Sequence, residues 1–231
     1  MTYILSGFIF GLFIPYMARR FSKFMPATMA YALYRLVAPV KKVSKQKRQK
    51  NGQYQRLVHK YLMRSIGWAV LVSALTYGAH LCLPSVFYIA LLWILLLLYE
   101  IDERMFLLPD ILTVPLLIIG FIYASTIVPE HDYVFCLPAF YSAMGAAVGY
   151  LLPVLASLAL VKKHPDAFGG GDIKLLSAVG AWIGFETVPA LILLSAFVFA
   201  LFCLAKRQRV GAFGPAIVIS TIVLVFFKYL S

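Results

Sequence analysis

Long apolar stretches separated by short polar junctions recur along this chain of 231 residues. Several approach the roughly 20 residues that a helix needs to cross the hydrocarbon layer of a membrane. Backbone polar groups find no water inside a bilayer, so such stretches must form helices. We therefore predict an all-α polytopic membrane protein with about eight transmembrane helices. The predicted spans are 3–17, 66–83, 85–101, 111–128, 133–161, 173–186, 188–205 and 213–229.

Composition and charge add an orientation to this arrangement. The chain is 62% hydrophobic and only 13% charged, whereas an ordinary soluble domain carries about 25% charged residues. Cytoplasmic loops retain Lys and Arg, and with eight helices all of the 21 basic residues except Lys228 fall on one side. We therefore expect both termini to be periplasmic. We interpret the net charge of +12 first as a sign of membrane topology and only second as a sign of a binding partner.

We divide the chain into a first transmembrane helix at 1–18, a basic cytoplasmic or interfacial loop at 19–65 and a transmembrane core at 66–231. The loop contains no Asp or Glu and mixes its cations with aromatic and aliphatic side chains. We expect it to contact anionic membrane lipid. Nucleic acid is the alternative partner of any basic run, but the adjacent bilayer surface is equally anionic, so we predict no nucleic-acid binding.

Three spans contain a Gly-x-x-x-Gly pattern, at 7–11, 145–149 and 180–184. Glycine at this spacing lets two helix backbones approach closely. We interpret it as packing inside one bundle rather than as dimerisation, and the sequence leaves the oligomeric state open.

Five of the nine acidic residues crowd two junctions on the predicted cytoplasmic side, which read EIDERMFLLPD over 100–110 and FGGGDIK over 168–174. Carboxylates at membrane depth are costly, so each needs a reason. Asp102 ends a span, where the helix dipole disfavours an anion, so capping does not explain it. Asp110 and Asp172 begin helices, where capping is common. For Asp110 a cap or supporting role is the preferred interpretation.

Two opposed aspartates have the chemistry for peptide hydrolysis. In contact they share one proton, because two adjacent carboxylates cannot both ionise cheaply. One then activates a water as general base, while the other polarises the scissile carbonyl. We predict Asp102 and Asp172 as this catalytic pair and expect no metal. The residues predicted to support them or to bind substrate are Gly169, Gly170, Gly171, Lys174, Asp110 and Glu103.

These motifs resemble those of the bacterial type IV prepilin peptidases, the GxGD-type aspartyl proteases. The likeness lies in Asp102 with the Leu-Pro-Asp and Leu-Thr after it, in GGGDIKLL at 169–176, in GAWIG at 180–184 and in Phe-Gly-Pro at 213–215. The resemblance implies that Asp102 and Asp172 are catalytic. It also implies a bacterial inner-membrane enzyme that cuts a short basic leader, after glycine and on the cytoplasmic side, from pilin or pseudopilin precursors.

The basic loop departs from that family. Many members have two CxxC pairs there, which hold zinc and accompany N-methylation of the product by S-adenosylmethionine. Residues 19–65 contain no cysteine, which argues against zinc and against methyl transfer. Glu100, Glu103 and Asp166 are candidate contacts for a basic leader. Proteolysis by two aspartates needs no cofactor.

Two further functions are weighed against this one. GxGD proteases of the presenilin or signal-peptide-peptidase kind pair the motif with Tyr-Asp and Pro-Ala-Leu, where this chain has Ile101-Asp102 and Phe-Gly-Pro. A transporter with a carboxylate relay predicts acids near mid-bilayer and repeated halves. This chain has its acids at helix ends and shows no repeat.

Overall fold

The computed structural model describes residues 1–24, 52–83, 85–126, 138–160, 169–207 and 211–230. Within them all regular secondary structure is helical, which confirms the all-α prediction. The helices are α1 (Thr2–Phe24), α2 (Gly52–Cys82), α3 (Phe87–Met105), α4 (Asp110–Thr126), α5 (Pro138–Leu160), α6 (Gly170–Ile183), α7 (Val188–Lys206) and α8 (Gly214–Leu230).

Several predicted helix ends were wrong; α3, for example, ends at Met105 and not at 101. α1 continues to Phe24, and α2 already begins at Gly52, so residues 52–65 of the predicted basic loop are helical. Hydropathy marks only the apolar part of a helix, whereas Lys, Arg, Gln and Leu also continue it into a polar environment. α6 stops earlier than expected, at Ile183, because Gly184 adopts a φ of 81°. The rest of the predicted basic loop lies outside the described residues.

Several of these helices have the length and composition to cross a membrane. Four do so as long apolar segments: Thr2–Phe21, His59–Cys82, Pro138–Leu158 and Val188–Lys206. Two shorter apolar helices accompany them, Asp110–Thr126 and Gly214–Tyr229. The chain is therefore a multi-pass membrane protein, while eight crossings and periplasmic termini remain predictions.

Residues Met1–Arg104 form one compact unit, built from α1, α2 and nearly all of α3. α1 lies directly on α2, since a Cβ placed on Gly11 would meet the Ala69 Cα at 2.6 Å. α3 is tied to α2 by Trp93, which donates its Nε1 proton to the Thr76 Oγ1 at 3.0 Å. The unit thus gives α3 a defined orientation toward α2.

Residues Met105–Ser231 form the second unit, in which α6 contacts each of the other four helices. α5 approaches so closely that a Cβ on Gly145 would lie 2.2 Å from the Gly180 carbonyl oxygen. On the α4 side, Trp182 donates from Nε1 to the Leu116 carbonyl oxygen at 2.9 Å. These contacts hold α6 in one place by its backbone as well as by its side chains.

The close packing predicted from the Gly-x-x-x-Gly patterns is confirmed within the chain. Gly7 and Gly11 face α2, while Gly145 and Gly149 face α6. At the latter interface Ser142 also donates to the Ala181 carbonyl oxygen at 2.7 Å. Hydrogen bonds of this kind to a neighbouring backbone are available only where two helices touch.

Candidate active site

The C-terminal end of α3 holds the first acidic junction. Asp102 is buried there, with 3% of its surface exposed, and Glu100 is enclosed completely. The helix ends at Met105 because Phe106 takes the left-handed conformation, with a φ of 54°. An exposed phenylalanine in that conformation is strained, and such strain is often found near functional sites.

Glu100 is surrounded by hydrogen-bond donors from its own chain. Its Oε2 accepts from the Arg64 Nη2 at 2.8 Å and from the Trp68 Nε1 at 3.0 Å. Its Oε1 accepts from the Arg104 Nε at 2.8 Å. Arg64 also donates to the Glu103 Oε2 at 2.9 Å. A basic leader could reach Glu100 only by displacing these donors, and a contact between Glu100 and the leader remains a prediction.

The start of α6 holds the second junction. Gly169 is the N-cap residue, and its carbonyl oxygen accepts from the backbone N–H of Asp172 at 3.0 Å and of Ile173 at 3.2 Å. Asp172 therefore lies in the first helical turn rather than at the cap. The positive end of the α6 dipole therefore lies beside its carboxylate.

The glycine before Asp172 is required by packing. A Cβ on Gly171 would lie 2.9 Å from the Leu108 Cβ and 3.4 Å from the Leu108 backbone N and O. The segment before α4 thus lies directly on the first turn of α6. A Cβ on Gly170, by contrast, would meet nothing within 4 Å.

Asp110 begins α4 and forms an ion pair with Lys174 on α6. Both of its carboxylate oxygens accept from the Lys174 Nζ at 2.7 Å. About half of each side chain is exposed. The pair links α4 to α6, and the sequence had not identified Lys174 as the partner of Asp110.

The structure therefore brings some predicted site residues together. Asp110 meets Lys174, whereas Glu103 contacts Arg64, a residue not anticipated as a partner. Asp102 belongs to the first unit and Asp172 to the second, so their pairing as catalytic residues remains a prediction.

Sequence reasoning missed the role of Glu100 as the centre of an ion cluster. One signal could have found it: an acid at the end of an unbroken apolar run needs compensating cations. Asp166 lies outside the described residues. Within the described part of the chain, no group of three or more His, Cys, Asp or Glu side chains is arranged to hold a metal ion.

The protein has membrane helices with carboxylates at the end of α3 and at the start of α6. It therefore belongs to the class of multi-pass membrane proteins with acidic residues at helix ends. A family model described as the type IV leader peptidase family matches residues 89–204. The chain belongs to this family. The matched segment contains both Asp102 and Asp172, and the resemblance drawn from the motifs is confirmed.

Individual relatives agree with this assignment. A "prepilin leader peptidase/N-methyltransferase" of Aeromonas salmonicida is 40% identical over 142 residues, covering 56% of this chain and 45% of the relative. Proteins of the same name from Vibrio cholerae and Escherichia coli K12 are 34% identical over 144 residues and 39% over 104 residues. The Vibrio match covers 60% of this chain and 54% of the relative, and the Escherichia match covers 43% and 42%. The chain spans about half the length of the curated relatives that it matches. No solved structure matches it significantly.

Proposed function

We propose that this protein is an aspartic endopeptidase that removes the short basic leader from type IV prepilins or pseudopilins. The observation that carries the proposal is the family match over 89–204, which includes both aspartates in their own sequence motifs. The relatives bear the name prepilin leader peptidase, which names the same substrate class. The proposed peptidase core is 66–231.

In the proposed mechanism Asp102 and Asp172 share one proton and one water between them. Asp172 lies in the first turn of α6, where the helix dipole favours an anion. Asp102 lies near the C-terminal end of α3, where the dipole opposes one. We assign Asp172 as the base that takes a proton from water, and Asp102 as the acid that donates a hydrogen bond to the scissile carbonyl. No metal and no covalent intermediate are required.

Cleavage in this proposal occurs on the cytoplasmic side of a bacterial inner membrane, where the Lys and Arg residues are predicted to lie. The basic residues of 19–65 then contact anionic lipid, and no nucleic acid is bound. The orientation can be measured independently of activity, with reporter fusions at both termini, for which we expect a periplasmic signal.

Proteolysis is proposed to need no cofactor. The relatives' names include N-methyltransferase, but residues 19–65 of this chain contain no cysteine for a four-cysteine zinc site. We therefore propose cleavage without S-adenosylmethionine-dependent methylation. Mass spectrometry of the mature N-terminus tests this, because one added methyl group would contradict it.

The direct test is co-expression with a prepilin, followed by gel shift and by mass spectrometry of the new N-terminus. We expect cleavage after glycine by the wild type and uncleaved precursor with Asp102→Ala or Asp172→Ala. Glu186→Gln is the control, since it alters a carboxylate that accepts from the Tyr141 hydroxyl and has no proposed catalytic role. Full processing by both alanine variants would refute the catalytic pair.

A further inference from the structure

The feature that the proposed reaction leaves unexplained is the enclosed carboxylate of Glu100. Two arginines and one indole donate to its two oxygens, from Arg64, Trp68 and Arg104. An ionised carboxyl group offers about four acceptor positions, so these donors occupy most of its capacity. Glu100 and Glu103 together balance the charges of Arg64 and Arg104.

Stability alone does not account for such a cluster. Taking charges out of water costs about as much as their attraction returns, and replacing a buried ion cluster with well-packed apolar residues is often neutral or stabilising. What a saturated cluster can add is geometry, because its hydrogen bonds are satisfied in one arrangement of the helices. The cluster joins α2 to the last turns of α3.

The helical period relates this cluster to Asp102. Trp93, which donates to Thr76 of α2, and Glu100, which binds Arg64 of α2, are one heptad apart and share a face of α3. Asp102 follows Glu100 by two residues, or about 200° around the helix. It therefore projects from the face opposite to the one that α2 holds.

A rotation of α3 about its axis would accordingly move Asp102. A side-chain atom lies about 5–6 Å from a helix axis, so a rotation of about 10° displaces it by about 1 Å. Displacing a reacting group by 1 Å can cost about 100-fold in rate. Glu100 lies at the same end of α3 as Asp102, which makes it better placed than Trp93 to resist such a rotation.

We propose that Glu100 is a positioning residue, whose bonds to Arg64, Trp68 and Arg104 fix the rotation of α3 and thereby the place of Asp102. This rests on the proposed function in so far as Asp102 is catalytic. Loss of the Glu100 charge leaves two guanidinium groups without their shared partner, and the end of α3 turns to relieve them.

The first test reads the position of residue 102 without any substrate. In a protein whose native cysteines are replaced by alanine, Asp102→Cys is reacted with a maleimide in the presence of Glu100 and again with Glu100→Gln. Residue 102 is 3% exposed, so labelling is slow at first. We expect Glu100→Gln to raise the rate at least about 3-fold, because a displaced thiol becomes more accessible and cysteine reactivity follows exposure. Glu186→Gln, the same chemical change elsewhere, should leave it unchanged. Equal rates with Glu100 and Glu100→Gln would overturn the proposal.

The second test measures cleavage of a prepilin. We expect Glu100→Gln to lower kcat by about 10- to 100-fold with KM within about twofold of the wild-type value, and Glu100→Asp to recover part of it. A quadruple variant, Arg64→Leu with Trp68→Phe, Glu100→Met and Arg104→Leu, separates position from stability, because it leaves no donor of Glu100 without its acceptor. It should regain thermal stability without regaining kcat.

Recovery of kcat together with stability in the quadruple variant would show that Glu100 only supports the fold, which would also overturn the proposal. If the wild type cleaves no prepilin, the proposed function fails, but the maleimide experiment still decides whether Glu100 positions residue 102. The two failures are therefore distinguishable.

Discussion

A methyl group added to each of the three glycines before Asp172 should have three different effects. On Gly171 it would lie 2.9 Å from the Leu108 Cβ. On Gly170 it would have open space, and on Gly169 it would lie 2.9 Å from the Asp172 Oδ2. The added methyl group thus contacts a neighbouring segment of the chain at Gly171, contacts nothing at Gly170, and contacts the carboxylate proposed as the base at Gly169.

The size of the Gly171→Ala effect follows from the contact distance. Carbon atoms pack best at about 3.5–4.0 Å, so the added methyl group must move away from Leu108 by roughly 0.6–1.1 Å. The Leu108 Cβ is attached directly to the backbone, so either the start of α6 or the segment before α4 must shift. Overpacking of this kind costs about 1–3 kcal/mol. The accompanying displacement of Asp172 should lower kcat/KM by about 10- to 100-fold.

The other two variants separate stability from activity. Gly170→Ala is the matched control for packing, and it should preserve or slightly raise thermal stability, because alanine is the better helix former by up to about 1 kcal/mol. Gly169→Ala should cost at most about 1 kcal/mol, because the Asp172 carboxylate can turn aside and the change only puts a poorer residue at the N-cap. That turn moves the proposed base, so Gly169→Ala should lose more activity than its small loss of stability explains.

The measurements are thermal unfolding of each purified variant in detergent and the initial rate of prepilin cleavage. We expect the largest drop in Tm for Gly171→Ala, and a lower cleavage rate for Gly169→Ala and Gly171→Ala. Equal Tm values for Gly170→Ala and Gly171→Ala would refute the role assigned to the Leu108 contact. A fully active Gly169→Ala would refute the link between that position and the Asp172 carboxylate.

Three further predictions concern stability. Gly145→Ala places a Cβ 2.2 Å from a backbone oxygen of α6, so it should destabilise the protein by about 1–3 kcal/mol or more. Its control is Gly67→Ala, whose Cβ would have nothing within 4 Å and should not destabilise the protein. Equal Tm values for the two variants would contradict this. Phe106→Asn should raise stability by up to about 1 kcal/mol, because asparagine tolerates the left-handed conformation, and a lowered Tm would argue against strain there. Asp110→Asn and Lys174→Met should each lower the free energy of unfolding by less than about 1 kcal/mol, since their ion pair is half exposed. A double-mutant cycle in low and high salt measures the coupling energy between the two side chains, which salt should weaken.

The membrane helices and the acidic motifs could be predicted from the sequence because both depend on local properties. Transfer of an apolar stretch into the bilayer is a sum over neighbouring residues. Likewise, Asp102 stands out because an acid at the end of a helix has no local explanation. The same locality explains the error at α2, whose polar first turns carry no hydropathy signal although their residues form helix readily.

The partners of the site residues were decided only by the tertiary structure. Arg64 reaches Glu100 across 36 positions of the chain, and Lys174 reaches Asp110 across 64. Gly171 was predicted as a supporting residue, but its close contact with Leu108 was not predicted. Such contacts depend on the rotation and separation of whole helices, which are set by many packing interactions at once. The sequence therefore determined which helices form and which acids are exceptional, while packing determined what each acid touches.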